Sequence, residues 1–247
     1  SAPVTLHRYL YAQDDPVNRR DPSGLFGLDG ISFDLSSIAQ ANPTTSPRRV
    51  RLETTIAAPL DMARKMIATA QSGFPDEGIG SYSRWFESPL LVGIPSYYSA
   101  VKDTWDALAK LGGEVDASKF DFGDSTDPRG CGHRSGGDTI AYVLGDGKLQ
   151  IYLCPPFFDR KSVVGANVGI HTKIGPVEGR ARVIVHELSH ETYDSSSIFR
   201  NVIGVNDLGY GVDNALNLAH PPVGQAKNNA DNYALQALEL WLGRELK

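Results

Sequence analysis

The chain is organised around the stretch Ala181-Arg-Val-Ile-Val-His186-Glu187-Leu-Ser-His190-Glu-Thr-Tyr193, which contains the pattern His-Glu-x-x-His. Residues four apart lie on one face of an α-helix, so His186 and His190 present two imidazoles to one point. Glu187 is turned by about 100° from His186 and can reach a water on a bound ion without ligating the ion. Two neutral imidazoles suit zinc, and a catalytic zinc takes a third protein ligand and leaves one position for water. The alternative is a buried helix in which both histidines only make hydrogen bonds.

Charge and hydropathy restrict the partners that we expect this chain of 247 residues to bind. The formal net charge is -5, and an acidic surface attracts neither nucleic acid nor an anionic membrane. The sequence has no apolar run of the ~20 residues that a membrane-spanning helix needs. We expect no signal peptide at Ser1, because the start lacks a basic segment followed by an apolar core. A composition of 41% hydrophobic and 21% charged residues predicts a globular protein.

Apolar spacing predicts a helix-dominated α+β fold. Regular structure is expected to begin near Arg51, with Pro59 in the first turn of a helix that ends at Gly73. Strands over 139–144 and 149–154 flank a Gly-Asp-Gly turn, which predicts an antiparallel hairpin. Further helices are predicted over 97–111, from Gly175-Pro176 to about Tyr193, and over 212–219 and 225–246, the last with Tyr233, Ala237, Leu240 and Trp241 on its apolar face. Helices, a small sheet and more helices make the fold class α+β.

A third metal ligand is expected from a carboxylate or histidine soon after His190. The candidates are Glu191, Asp194, Asp207, Asp213 and His220. Glu191 points about 100° away from His190 on the helix, and Asp194 lies at a fraying helix end. Asp207 is flanked by glycines that permit a sharp turn back to the metal. Chemistry alone favours Asp207 over each of the others and leaves them open.

From Val185 onward the chain resembles the deuterolysin family, the aspzincins. Their ligands are the two motif histidines and an aspartate in Gly-Thr-x-Asp-x-x-Tyr-Gly. In this sequence Gly204, Asp207, Tyr210 and Gly211 match, and Val205 replaces the threonine. Further matches are Arg84-Trp-Phe86, Ile140-Ala-Tyr142 and Tyr152-Leu-Cys-Pro-Pro-Phe-Phe158. The resemblance covers about residues 55 to 240 and implies a zincin-like metalloendopeptidase with zinc on His186, His190 and Asp207.

The resemblance also implies roles for other residues. Glu187 would be the general base, and Tyr210 would donate a hydrogen bond to the developing oxyanion. Asp231, in Asn-Ala-Asp, matches the aspartate that receives the substrate lysine in the lysine-specific branch, which implies cleavage before lysine. The other interpretation of Asp231 is an aspartate favoured by the dipole at a helix start.

Two cysteines, Cys131 and Cys154, lie outside the motif region and are not interpreted as metal ligands. Their number alone leaves a disulfide and two buried thiols equally open. Because the fungal relatives are disulfide-bonded, the resemblance implies a Cys131–Cys154 bridge.

Residues 7–25 resemble the end of the core domain of RHS-repeat proteins. Tyr9-Leu-Tyr-Ala-Gln-Asp-Asp-Pro-Val-Asn18 leads into Asp21-Pro-Ser-Gly-Leu25, after which that family begins a variable toxin domain. Many members cut themselves there with aspartates; Asp21 matches one of them, and Leu25–Phe26 would be the scissile bond. The upstream half of that machinery lies before Ser1, so this chain is not expected to cut itself. The implied organisation is an RHS end over 1–25, a linker over 26–50 and the protease domain over 51–247.

These observations predict a zinc endopeptidase toxin that is secreted or delivered by an RHS carrier. Its expected partners are a protein substrate in a target cell, the carrier cage and a cognate immunity protein. Two alternatives stay open, a metal-stabilised binding module and a zinc amidase that acts on cell wall. Glu187 and Tyr210 argue against the binding module, because a structural zinc needs neither of them.

Overall fold

The computed structural model of the protein describes residues 46–73, 80–86, 95–123, 130–131, 139–144, 148–165, 173–192, 204–220 and 225–246. The chain divides into two units, Ser1–Val50 and Arg51–Lys247. The predicted RHS segment, the linker up to residue 45 and the boundary residues Asp21, Leu25 and Phe26 lie outside the described residues.

The described residues form α-helices and one small three-stranded sheet. The α-helices are α1 (Pro47–Ser72), α2 (Gly80–Trp85), α3 (Pro95–Glu114), α4 (Pro155–Phe158), α5 (Arg160–Gly165), α6 (Pro176–His190), α7 (Gly211–Ala219) and α8 (Ala230–Leu242), with short 3-10 turns at Ala117–Lys119 and Ala226–Asn228. The strands are β1 (Phe120–Phe122), β2 (Ala141–Val143) and β3 (Ile151–Leu153), in the order β1-β3-β2. None of the helices in this described part is both long and apolar enough to cross a membrane.

Helix α6, which contains the His-Glu-x-x-His motif, lies at the centre of the core. It packs most extensively on α8 and also contacts α3, α5 and β2. Its own apolar residues are buried, and so is nearly all of α8. On α8, the ring of Tyr233 packs against those of Phe86 and Trp105, and the fully buried Trp85 donates a hydrogen bond to Glu239. Each such side chain stabilises the fold by about 1.5–3 kcal/mol when it is fully buried, so the helix that carries the motif rests on a densely packed layer.

The predicted start of the motif helix is confirmed. Gly175 is the N-cap residue and Pro176 occupies the first turn, where its missing N–H costs nothing. The helix ends at His190 instead of Tyr193. The last helix ends at Leu242 because Gly243 adopts a left-handed conformation with φ 61°. Trp241 is 37% exposed, so its predicted place on the apolar face is wrong.

Helix α1 begins earlier than predicted. It starts at Pro47, and Pro59 lies inside it. The buried positions Leu52 and Ile56 continue the helical period on the N-terminal side of Pro59, so packing of this face outweighs the hydrogen bond that proline removes. Helix α3 likewise continues through Gly112 to Glu114. Arg64 donates to the carbonyls of Gly112 and Val115 at that helix end.

The predicted hairpin is confirmed, with shorter strands. Strands β2 and β3 are antiparallel, with Ala141 opposite Leu153. Strand β1 was not predicted and pairs with β3 in parallel, with Phe120 opposite Ile151. The disulfide between Cys131 and Cys154 is present, with a Cα–Cα distance of 5.4 Å and a sequence separation of 23. A loop of this length adds ~3 kcal/mol in the chain-entropy model.

Candidate metal centre

The three predicted metal ligands lie close together, two of them on α6. His186 and His190 stand one turn apart, with ring centroids 5.0 Å from each other. Asp207, on the segment before α7, places Oδ1 at 3.0 Å from Nε2 of His186 and 3.3 Å from Nε2 of His190. One ligand atom from each residue lies within 4.8 Å of the others. The structure therefore brings together the residues that the sequence grouped.

Both imidazoles are oriented as metal binding requires, with Nδ1 turned away from the ligand group. Nδ1 of His186 lies 2.7 Å from Oδ1 of Asp231, and Nδ1 of His190 lies 2.9 Å from the carbonyl oxygen of Val205. A carboxylate and a carbonyl only accept hydrogen bonds, so each Nδ1 donates its proton. Each Nε2 faces Asp207, and it can offer a lone pair to a metal ion once its own proton has left. Two imidazole nitrogens and one carboxylate oxygen, with oriented rings, are a donor set that fits zinc.

The remaining ligand candidates lie elsewhere. Glu191 is buried, while Asp213 and His220 are exposed on or just after α7, and none of the three belongs to this group. Asp194 lies outside the described residues. Val205 replaces the threonine of the family pattern, and its backbone carbonyl, which any residue supplies, accepts the hydrogen bond from His190.

Asn229 shapes the segment that carries Asp207, a role that the sequence analysis missed. Its side chain is fully buried. Its Oδ1 accepts hydrogen bonds from the backbone N–H groups of Leu208 at 3.0 Å and Gly209 at 3.1 Å. Its Nδ2 donates to the carbonyl of Gly209 and to Oδ1 of Asn232. With all four hydrogen-bonding positions of the amide in use, the backbone next to Asp207 has a defined course.

Asp231 is fully buried in the first turn of α8. Its Oδ1 accepts from His186 and, at 3.1 Å, from Nη1 of Arg182. Its Oδ2 accepts from the backbone N–H of Gly211 at 2.6 Å. The contact predicted between Asp231 and a substrate lysine stays a prediction. Arg182 was missed, although a charged residue inside an apolar run, four positions before His186, is a signal that the sequence offers.

The charged groups of the centre shift one another's pKa values. Burial opposes a charge on His186, but hydrogen bonds to the carboxylates of Asp207 and Asp231 outweigh it and raise the pKa of the imidazole to about 10. Burial alone would raise the pKa of Asp207, but hydrogen bonds from His186 and His190 hold it well below its usual range. Burial raises the pKa of the Glu187 carboxyl, although the two histidines oppose this. Glu187 therefore binds a proton more readily than an exposed glutamate, which suits a general base.

Tyr210 lies against the metal ligands. Its ring stacks on that of His186, with centroids 5.9 Å apart and planes 17° apart, and the residue is 49% exposed. Burial, with the charge of Asp207, raises the pKa of the phenol. The hydroxyl therefore keeps its proton and can donate it in a hydrogen bond to a substrate at this edge of the centre.

Comparisons with known proteins agree with this geometry. Residues 76–237 match the aspzincin family model, described as lysine-specific metallo-endopeptidase. An extracellular protease of Aeromonas hydrophila is 39% identical over 94 residues, which are 38% of this chain and 21% of that protein. The chain thus spans about a fifth of that relative's length. A zinc peptidase from Grifola frondosa aligns with a TM-score of 0.52 and 24% identity over 76% of this chain and 94% of its own, which shows the zincin-like α+β fold that was predicted.

Proposed function

The chain belongs to the aspzincin family of lysine-specific metallo-endopeptidases, and from that membership we propose that it cleaves peptide bonds on the N-terminal side of lysine. The protein is a zinc metalloendopeptidase. The observation that carries the proposal is the convergence of His186, His190 and Asp207 within 4.8 Å, next to a buried Glu187. A structural zinc site is closed by its ligands and needs no such base.

The chemistry follows from the residues around the three ligands. His186, His190 and Asp207 would hold the zinc ion, which when bound would supply Lewis acidity towards a water and a peptide carbonyl. Glu187 takes the proton of the attacking water and delivers it to the leaving amine, a role that its raised pKa favours. Tyr210 donates its hydroxyl proton in a hydrogen bond to the oxygen on which negative charge develops.

The lysine preference is the finer part of the proposal and is supported by the description of the family. To test it, the protein is incubated with a mixture of denatured proteins, with and without a chelator, and the new N-termini are identified by mass spectrometry. We expect most fragments to begin with lysine, few to begin with arginine, and none to form in chelator until zinc is added back. Fragments whose first residues follow the composition of the substrate mixture would contradict the preference.

We further propose that the domain is the C-terminal toxin of an RHS-repeat carrier, secreted or delivered to a target cell and restrained by an immunity protein. The support is the stretch from Tyr9 to Leu25, which matches the end of the RHS core. The test is expression of the complete carrier gene, followed by mass measurement of the released fragment. Release of a fragment that begins at Phe26, and its loss in Asp21→Asn, is expected. An uncut carrier, or a cut elsewhere, would refute this boundary.

A further inference from the structure

We propose that Asp231 is a positioning residue of the metal centre, which orients His186 and the Tyr210–Gly211 turn while Arg182 balances its charge, and that it does not form the base of the lysine pocket. This inference rests on the proposed peptidase function and deepens it. It assigns Asp231 to the shape of the metal site, whereas the family resemblance implies a role in the choice of substrate.

The carboxylate of Asp231 is inaccessible to solvent and already hydrogen-bonded. Asp231 has 0% of its surface exposed. His186 and Arg182 both donate to Oδ1, and Gly211 donates to Oδ2. A substrate ammonium would have to displace one of these donors inside the core, and a buried donor that loses its partner is destabilising. Direct recognition of lysine would therefore weaken the support of the metal centre.

The two side chains that donate to Oδ1 of Asp231 come from the same helix, α6. Arg182 and His186 are four residues apart, so both point from the same helix face to the start of α8. Through Nδ1 of His186 the carboxylate fixes the orientation of the ring and directs Nε2 to the ligand group. Loss of such a partner behind a metal ligand weakens metal binding by about 10–100-fold.

The segment that carries Tyr210 is held by the same carboxylate. Gly211 has φ 84°, a left-handed conformation that glycine adopts at little cost. Its N–H, held by Oδ2 of Asp231, anchors the turn at the point where the Tyr210 ring reaches its place on His186. One carboxylate therefore sets the orientation of a metal ligand with one oxygen and the place of the predicted oxyanion donor with the other.

Arg182 explains how this negative charge is kept inside the protein. Its side chain is 5% exposed, and its Nη1 lies 3.1 Å from Asp231. A buried carboxylate without a counter-ion is strongly destabilising. Because this counter-ion comes from the chain itself, Asp231 is paired before any substrate arrives and needs no lysine.

The chain offers a matched control in the same helix. Glu239, also buried, accepts from Nε1 of Trp85 at 2.9 Å and from the backbone N–H of Leu246 at 3.0 Å. It also faces an arginine, Arg84, at 3.4 Å. Asp231→Asn and Glu239→Gln thus remove the same charge from similar surroundings. Only the first is bonded to a metal ligand.

The experiment compares these variants in the full chain by three measurements. They are zinc release to a chelator, the visible spectrum of the cobalt-substituted protein, and kcat and KM on two peptides with lysine or alanine after the scissile bond. For Asp231→Asn we expect zinc affinity to fall about 10–100-fold and the cobalt spectrum to change. We expect kcat to fall by the same factor on both peptides. The ratio of kcat/KM for the lysine peptide to that for the alanine peptide should therefore stay within about twofold of the wild-type ratio. For Glu239→Gln we expect a lower melting temperature with unchanged zinc affinity and spectrum.

Asp231→Glu serves if Asp231→Asn does not fold, because it keeps the charge and moves the oxygens. It is expected to weaken zinc binding and to leave the lysine-to-alanine ratio unchanged. The proposal is overturned if either variant keeps wild-type zinc affinity and spectrum, or if Glu239→Gln loosens zinc equally. A variant that loses its lysine preference but keeps wild-type zinc binding would show that Asp231 does contact the substrate lysine. If the wild-type enzyme shows no lysine preference, the proposed function fails, while zinc release and the cobalt spectrum still decide the role of Asp231.

Discussion

Helix α8 contains two buried carboxylates, Asp231 near its start and Glu239 near its end, and their surroundings are built alike. Each accepts a hydrogen bond from the N–H of an aromatic ring and one from a backbone N–H, and each faces an arginine. The ring is that of His186 for Asp231 and that of Trp85 for Glu239. A buried carboxylate is costly unless it is paired and hydrogen-bonded, and both ends of the helix meet this requirement in the same way.

The two sites differ in whether the aromatic ring has a second nitrogen atom. The indole of Trp85 has a single nitrogen, so its hydrogen bond to Glu239 only ties α2 to α8. The imidazole of His186 has another nitrogen, Nε2, which lies 3.0 Å from Asp207. A carboxylate anchor of one design therefore stabilises a helix contact at one end of α8 and orients a metal ligand at the other.

A third buried carboxylate, Glu187, gives the strongest test of whether the surroundings of a buried carboxylate decide its role. If burial and charge were all that mattered, its replacement would resemble that of Glu239. We expect Glu187→Gln to lower kcat by about 10²–10⁴-fold, because the attacking water loses its base. Zinc content and melting temperature should stay at the wild-type level, since Glu187 is not one of the three ligands. Peptide turnover and metal analysis of the purified variant check this, and near-normal turnover would refute the base.

A neutral side chain in the same region, Asn229, tests whether hydrogen bonds without charge also shape the centre. Asn229→Ala is expected to lower the free energy of unfolding by about 1–3 kcal/mol, because partly buried backbone groups of Leu208 and Gly209 lose their hydrogen-bond partner. Zinc affinity should fall too, since this segment carries Asp207. Urea unfolding with and without zinc measures both effects. The control is Asn214→Ala, an exposed residue with one hydrogen bond to the carbonyl of Tyr210, where the loss should be under about 1 kcal/mol.

The smallest effect is expected at an exposed carboxylate, Asp159, at the start of α5. It accepts from the N–H and the hydroxyl of Ser162, and these hydrogen bonds lower its pKa. A lowered pKa in the folded state means that the stabilisation is present above the unfolded pKa of about 4 and is lost as the pH falls. The melting-temperature difference between wild type and Asp159→Ala should thus be small at pH 7 and shrink towards pH 3. A melting-temperature difference that grows on acidification would contradict the lowered pKa of Asp159 in the folded state.

Much of the architecture follows from local rules. Gly175-Pro176 marked the start of α6 because a proline in the first turn loses no hydrogen bond. The hairpin followed from two apolar runs around a glycine turn. Pro59 misled because its local penalty was weighed without the buried residues before it, Leu52 and Ile56, whose spacing continues the helix. Strand β1 has three residues, too few for an alternating pattern, and it forms because β3 lies beside it.

The spacing of residues in the sequence predicted the metal ligands but not the side chains that hold them in place. The two histidines lie four residues apart, and Asp207 lies in a short recognisable segment. The partners behind them are pairs of distant residues, such as Arg182 with Asp231 and Leu208 with Asn229. No periodicity in one sequence links positions 49 or 21 apart; such pairs become visible only when packing has brought α6, α8 and the Asp207 segment together.

The glycine that follows β1 has a consequence for the history of the sequence. A Cβ on Gly123 would lie 2.2 Å from Sγ of Cys131, 2.9 Å from Cε1 of Tyr142 and 3.2 Å from Sγ of Cys154. Atoms cannot approach so closely, so position 123 is free to acquire a side chain only in a chain that has lost the bridge. Relatives that keep both cysteines should therefore also keep the glycine at position 123.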